Sequence, residues 1–265
     1  AHILVGKYAD HLPLYRQSLM LAREGIDLPR STLAGWVGQC ATLLAPLAEA
    51  VRRHVLSGQA VFADDTPVRL QDTRKTARFW TYVRDERPWN SEAHPAAWYQ
   101  FSIDRKGEHP RNHLADYQGW MHADGYSGFD ALYRDGTIRE VACMAHIRRK
   151  FADVVKAQSS PVAKETLIKI AQLYKIENRA RGHPPEQRVA CRKEAVPLYE
   201  ELELWMQKQR TLISAKSPLA SAIDYGLKRM QKLRPYLTNG QLEIDNNTAE
   251  RSLRGIAVGR KNWLF

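Results

Sequence analysis

Three acidic residues in three separate contexts are the first candidates for chemistry. They are Asp64 in Val61-Phe62-Ala63-Asp64-Asp65-Thr66-Pro67-Val68, Asp124 in His122-Ala123-Asp124-Gly125-Tyr126, and Glu250 in Asn247-Thr248-Ala249-Glu250-Arg251. A carboxylate set in apolar sequence is costly to keep charged without a partner, which is an arginine, backbone N–H groups or a divalent metal. Three such positions point to metal. Phosphodiester cleavage needs an activated attacking oxygen, a stabilised leaving oxygen and neutralised charge at phosphorus. Two Mg²⁺ ions about 3.5–4 Å apart meet all three needs and bind hard carboxylate oxygens. Each acid also has an ordinary reading. Asp64 or Asp65 pairs with an arginine, and only one of these strand neighbours can point into a given site. Asp124 before Gly125 is a turn acid. Glu250, three residues after Asn247, is the N3 member of a capping box.

The elements that must position these acids read as an α/β arrangement. After the strand at 61–70, residues 78–83 and 97–102 are aromatic and β-branched, and the turn-rich stretches 71–76 and 85–95 between them predict an antiparallel meander. His109-Pro110 opens a short helical stretch to about Tyr117. A fourth strand covers 119–124 and a fifth covers 141–145, followed by a basic helix at 146–156. From 157 to 235 the sequence is helical, divided at Gly182-His183-Pro184-Pro185 and at Pro197. A last helix carries Glu250, Arg251 and Arg254. Residues 1–58 are also helical, with a stop near Glu24-Gly25, a restart capped by Ser31, and Pro46 inside or between helices. This segment is either a helix-turn-helix reader of DNA or a helical hairpin packed on the core, and no base-reading set of side chains stands out in it.

Composition narrows the partner. The 265 residues hold 40 Lys+Arg against 29 Asp+Glu, a net charge of +11. A balance that basic suits a polyanion, of which nucleic acid is the commonest. Three dispersed cysteines, Cys40, Cys143 and Cys191, form no disulfide framework and fit a reducing cytoplasm. No apolar run approaches a membrane span and no signal-peptide pattern opens the sequence. Its start at Ala1 and its stop at Trp263-Leu264-Phe265 in mid-pattern read as those of a fragment of a longer protein.

Other residues are weighed beside the acids. Cys143-x-x-His146 is half a zinc motif, with no second half to complete it. Cys143 reads instead as core, with His146 capping the strand near the acids, contacting the scissile phosphate or orienting a carboxylate. Arg148, Arg149 and Lys150 follow on a helix and, with Arg251, Arg254, Arg260 and Lys261, read as contacts to the DNA backbone. Trp120, Tyr126 and Trp263 are candidates for stacking on splayed bases, core packing being the other reading for Trp120.

Four motifs in order, Ala63-Asp64-Asp65-Thr66-Pro67-Val68, His122 to Tyr126, Cys143 to Phe151 and Asn247 to Trp263, resemble bacterial transposases of the insertion-sequence-66 type. The first motif of that family is usually Asp-Glu-Thr-Pro, and here the second acid is Asp65. The resemblance implies a DDE-class enzyme with a ribonuclease-H-like mixed sheet and flanking helices, and Asp64, Asp124 and Glu250 as its catalytic and metal-binding triad. The implied cofactor is Mg²⁺, with Mn²⁺ as substitute. On this reading residues 1–58 are an N-terminal helical segment, 59–156 the first part of the catalytic core, 157–238 an all-helical insertion and 239–265 the last part of the core. The implied reaction is cleavage of transposon ends and strand transfer into target DNA, by a homodimer or higher synaptic complex in the nucleoid-associated bacterial cytoplasm. Full members of the family carry further N-terminal DNA-binding and coiled-coil regions. The competing readings are a metal-dependent nuclease without strand transfer and a catalytically silent DNA-binding domain.

Overall fold

A central strand buried on both faces fixes the architecture. In the computed structural model, which describes residues 1–70, 75–260 and 262, β1 (Ala60–Arg69) has Ala60, Val61, Phe62 and Ala63 all buried. It pairs antiparallel with β2 (Thr76–Arg84), which pairs antiparallel with β3 (Ala96–Ser102). On its other side β1 pairs parallel with β4 (Gly119–His122), which pairs parallel with β5 (Ile138–Val141). The result is a five-stranded mixed sheet of order β3-β2-β1-β4-β5. A fully covered central strand explains the near-continuous apolar run before Asp64, where a half-exposed strand would alternate.

Helices precede, cover and follow the sheet. α1 (His2–Tyr8), α2 (Leu14–Arg23) and α3 (Arg30–Leu56) come first, and α3 packs on β2 and β3. α4 (Glu108–His113) leads into β4, and α5 (Met144–Gln158) follows β5. Then come α6 (Pro161–Ala180), α7 (Pro185–Arg192), α8 (Ala195–Thr211) and α9 (Pro218–Leu233), and finally the short α10 (Asn247–Ser252) and α11 (Arg254–Gly259). One apolar cluster covers the face of the sheet under Val55, Leu114 and Phe129 and takes Val61, Ala63 and Met121 from it. A second runs from Ala60, Val141 and Met144 into α6, α8 and α9. No helix among the described residues is long and apolar enough to cross a membrane.

Several boundaries differ from the sequence reading. The fifth strand ends at Val141, and the apolar run 141–145 instead turns into α5 at Met144. Val141, Ala142, Cys143 and Met144 are all buried, and a short buried run does not distinguish strand from helix by periodicity. Pro197 does not divide the helices: it lies in the first turn of α8, where its missing N–H breaks no helical hydrogen bond. Pro46 lies inside α3. α3 starts at Arg30 after Pro29, with no side-chain cap from Ser31.

Candidate active site

Face parity along β1 separates the two adjacent aspartates. Val61 and Ala63 belong to the cluster under α3 and α4, while Phe62 packs with Ala249 of α10. Alternation then sends Asp65 to the first side and Asp64 to the second, toward α10. Asp65 is the arginine-paired member: Arg78 Nη1 donates to it at 3.0 Å and Arg105 Nη2 at 2.7 Å, and its side chain is 2% exposed. Asp64 has no such partner among the described residues; the Asp65 N–H donates to its Oδ1 at 2.8 Å. Burial, opposed by that N–H and reinforced by the charges of Asp124, Asp65 and Glu250, pushes the Asp64 carboxyl up to about 7.

Asp124 stands two residues beyond the end of β4, at the mouth of the parallel β1–β4 pair. It is a turn acid as well, since its Oδ1 accepts the Tyr126 N–H at 2.9 Å. Gly125 has φ +83°, a conformation that disfavours a side chain, and its carbonyl accepts from Arg229 of α9 at 2.8 Å. The Tyr225 hydroxyl donates to the Asp124 carbonyl at 3.1 Å, so α9 holds this turn from outside the sheet. The other Asp124 oxygen lies 4.0 Å from Arg105 Nη2, and the Arg105 guanidinium lies 3.9 Å over the Tyr126 ring. Tyr126 thus packs on an arginine, its hydroxyl donating to the Arg105 carbonyl.

Glu250 reaches the same region on α10. Asn246, just before that helix, donates from Nδ2 to the Ala63 carbonyl at 2.9 Å, and its own N–H donates to Cys143 Sγ at 3.2 Å. These two bonds tie the start of α10 to β1 immediately before Asp64 and to the β5–α5 junction. The Tyr99 hydroxyl donates to the Ser252 carbonyl at 2.9 Å and fixes the other end of α10 to β3. The capping box does not form. Asn247 is the first helical residue, no side chain caps the helix, and Glu250 faces His146 Nε2 and Arg149 Nη2, each at 3.5 Å. Burial lowers the pKa of His146 against the opposing pull of Glu250 and Asp124.

The charges of Asp124 and Glu250 both act on the Asp64 carboxyl, and hard oxygen donors of this kind suit a divalent cation that would relieve the repulsion. The trio is open. Among the described residues, the ligand atoms that all lie within 4.8 Å of one another belong to Asp104, Glu108 and His109. Lys106 already sits 3.5 Å from Asp104 and 3.9 Å from Glu108 in that surface group.

The basic residues divide by position. Arg149 reaches Glu250, and Arg148 lies beside it along a groove between α5 and α6. Lys150 stands 5.5 Å over the Tyr225 ring. Arg251 donates to Thr248 Oγ1 at 3.0 Å, and Arg254 is exposed at the start of α11. Arg260 donates to Thr66 Oγ1 at 2.5 Å and to the Pro67 carbonyl at 2.8 Å, which binds it to β1 just past the aspartates. Lys261 and Trp263 lie outside the described residues. Trp120 is half-buried, with the Arg139 guanidinium 4.1 Å over its ring.

Sequence reasoning missed Arg105, Asn246 and a buried charge network behind the acids. Arg105 sits in a mixed-charge loop with no spacing to mark it, and Asn246 is one of two adjacent asparagines. In the network, Arg188 and Arg192 of α7 are fully buried with Glu177 of α6 and Glu243. Arg192 donates to Glu177 at 2.5 and 2.8 Å and to the carbonyls of Tyr236, Asn239 and Leu242 at 2.7, 3.0 and 2.8 Å. Arg188 donates to Glu177 at 2.7 Å and also to Glu243. Burial would raise the pKa of Glu177, but the two arginines hold it below its ordinary value. The Glu243 N–H donates to His122 Nε2 at 3.0 Å, and burial lowers that imidazole to about 3, so it stays neutral. The network thus braces the 239–246 segment against β4, between the strand that leads to Asp124 and the helix that bears Glu250.

Comparison with known proteins gives a consistent result. The whole chain, residues 1–265, matches the family model described as Transposase IS66 family. Similar curated proteins are three uncharacterized proteins of Sinorhizobium fredii. They are y4hP, 39% identical over 284 residues; y4jD, 38% identical over 276; and y4qI, 36% identical over 278. Each alignment covers 100% of this chain but 51%, 54% and 51% of the respective relative, so the chain spans about half the length of the curated relatives it matches.

Proposed function

The chain belongs to the IS66 family of transposases, and we propose that it is the catalytic part of a DDE transposase that cleaves transposon ends and transfers them into target DNA. The observation that carries this reading is geometric: Asn246 Nδ2 donates to the Ala63 carbonyl at 2.9 Å and so ties the helix bearing Glu250 to β1 immediately before Asp64, beside the parallel β1–β4 pair that leads to Asp124. The strand order β3-β2-β1-β4-β5, with the first three antiparallel and the last two parallel to β1, supports a ribonuclease-H-like core. On this reading residues 59–156 and 239–265 make the core, 157–238 are a helical insertion and 1–58 an N-terminal helical segment.

Asp64, Asp124 and Glu250 would hold Mg²⁺, or Mn²⁺ in its place. When bound, such a cation neutralises charge at the phosphodiester and lowers the barrier to in-line attack, first by water and then by the freed 3′-OH. The protein's own groups have separable roles. Arg105, fixed by Asp65 and stacked on Tyr126, offsets charge beside Asp124. His146 and Arg149 aim Glu250. Arg148, Lys150, Arg251 and Arg254 offer cations to the DNA backbone. Arg260 has a structural partner on β1 and serves mainly to fix α11 beside the site.

Two ends must be joined together, so a homodimer or larger synaptic complex is part of the proposal. The long α3 supports it, because Leu43 and Leu47 are 78% and 61% exposed on a helix that also exposes Trp36 and Leu44. Leu43→Glu/Leu47→Glu is expected to shift the protein to monomer in sedimentation velocity; an unchanged distribution removes α3 from the interface.

Calorimetric titration with Mn²⁺ tests the site itself. Wild type is expected to bind, Asp64→Ala and Glu250→Ala to lose binding, and both variants to keep affinity for a duplex. Joining of a 3′-OH end oligonucleotide to plasmid DNA then separates a transposase from a nuclease, which would cut without joining. Unaltered metal binding in both variants would leave a DNA-binding domain without catalysis.

A further inference from the structure

The groove between α5 and α6 begins at the helix that bears Glu250 and is lined on both sides by groups suited to phosphates. From α5 it takes Arg148, Arg149 and Lys156, and from α6 Lys175 and Asn178, with Asn247 of α10 closing one end. The lining follows one face of each helix: positions 145, 148, 149, 152, 153 and 156 on α5, and 171, 174, 175 and 178 on α6. Alanines at 145, 152 and 171 leave the groove open between the longer side chains. Four cations stand against the single carboxylate of Asp153. Among the described residues none of Arg148, Lys156 and Lys175 is in an ion pair, while Arg149 reaches Glu250 at 3.5 Å.

Two further contacts connect this groove to the acids. The Tyr174 hydroxyl, on the α6 wall, donates to Asp245 Oδ2 at 3.1 Å, and Asn247 Nδ2 donates to the same oxygen at 2.8 Å. One buried carboxylate therefore holds the α6 wall and the first residue of α10 in a common position. The α5 wall, from 145 to 156, is roughly 16 Å long at 1.5 Å per residue. That is about the axial rise of five nucleotides of one strand.

We infer that this groove is a track for the phosphate backbone of DNA running from the three acids along α5, and that Lys156 and Lys175 are phosphate-contacting residues. The helical segment after α5 then forms part of the DNA-binding surface as well as bracing the core. The inference rests on the proposed function for the identity of the polyanion, and its test is separable from that of the metal site.

The experiment is fluorescence anisotropy of a labelled duplex across 50–300 mM salt, for wild type, Lys156→Glu/Lys175→Glu, and the control pair Lys208→Glu/Lys216→Glu outside the groove. Losing two phosphate contacts should lower the slope of log affinity against log salt by roughly two and weaken binding at low salt by about 10- to 100-fold. The control pair changes net charge equally, so it reports the non-local part of the effect. Melting temperature and Mn²⁺ titration of the groove variant should match wild type, which excludes misfolding. A groove variant that behaves like the control pair overturns the inference. Loss of affinity in the groove variant, together with metal binding that ignores Asp64→Ala, would uphold the groove and refute the active-site reading.

Discussion

Asp64→Asn is expected to make the metal-free protein more stable at pH 8, by about 2–4 kcal/mol, while abolishing metal binding. The expectation follows from proton linkage. Burial and neighbouring acids raise the Asp64 carboxyl from 3.8 to about 7 in the folded chain. Folded protein therefore holds the proton more tightly than unfolded protein between those values. Stability contributed by the protonated form is complete below about pH 4, falls as pH rises toward 7 and is gone above it. A shift of about three pH units corresponds to roughly 4 kcal/mol at full ionisation, and local relaxation reduces it. Asparagine keeps the shape of the protonated acid and carries no charge, so its advantage over wild type should be small at pH 4.5 and largest at pH 8. Urea unfolding in EDTA at both values reads this difference directly. An advantage that does not change with pH would mean that Asp64 is not buried among like charges. Wild type should recover stability with Mn²⁺ at pH 8 and much less at pH 5.5, where protons compete for the same oxygens.

The second large effect is expected far from the acids. Arg192→Met should cost about 3–5 kcal/mol, because it leaves the buried Glu177 carboxylate with Arg188 as its one remaining guanidinium and strips the Tyr236 and Asn239 carbonyls of their guanidinium donor. For a chain of this size that is a fall in melting temperature of roughly 6–20 °C. Hydrogen exchange should accelerate in the 239–250 segment, since Arg192 holds the Leu242 carbonyl and Glu243 in turn engages His122. Arg192→Lys should recover only part of the loss, as one ammonium cannot serve five acceptor atoms. The depressed Glu177 pKa adds a pH signature. Its contribution is present above about pH 4.3, the ordinary Glu value, and is lost as pH falls through the depressed value. A methionine variant that melts like wild type would show that the network contributes no more than an apolar core of the same volume.

Much of the candidate site's cast was legible in the sequence because motif residues lie at the ends of elements with clear periodicity. Asp124 follows a short strand and precedes a glycine, and the turn and the approach to the other acids coexist there: one oxygen takes the Tyr126 N–H while the other faces Arg105. Glu250 was ambiguous between a cap and a site. The capping reading fails because Asn246, not Asn247, precedes the helix and spends its side chain on the Ala63 carbonyl. Such a bond joins residues 183 apart, and nothing local announces it.

The sequence by itself determined the alternation of strands and helices, the basic balance, and three acids in contexts where a lone charge would be costly. Each of these is written in short-range pattern or in composition. Only the tertiary structure decided which of Asp64 and Asp65 faces the other acids. Parity along a strand says that they differ, but not which face α10 will cover. Arg105, Arg188 and Arg192 were equally invisible beforehand, since an arginine in a charged loop or helix reads the same whether solvated or buried. Its meaning is set by the carboxylate that long-range packing brings to it, and an interaction between distant segments leaves no period in the chain to read.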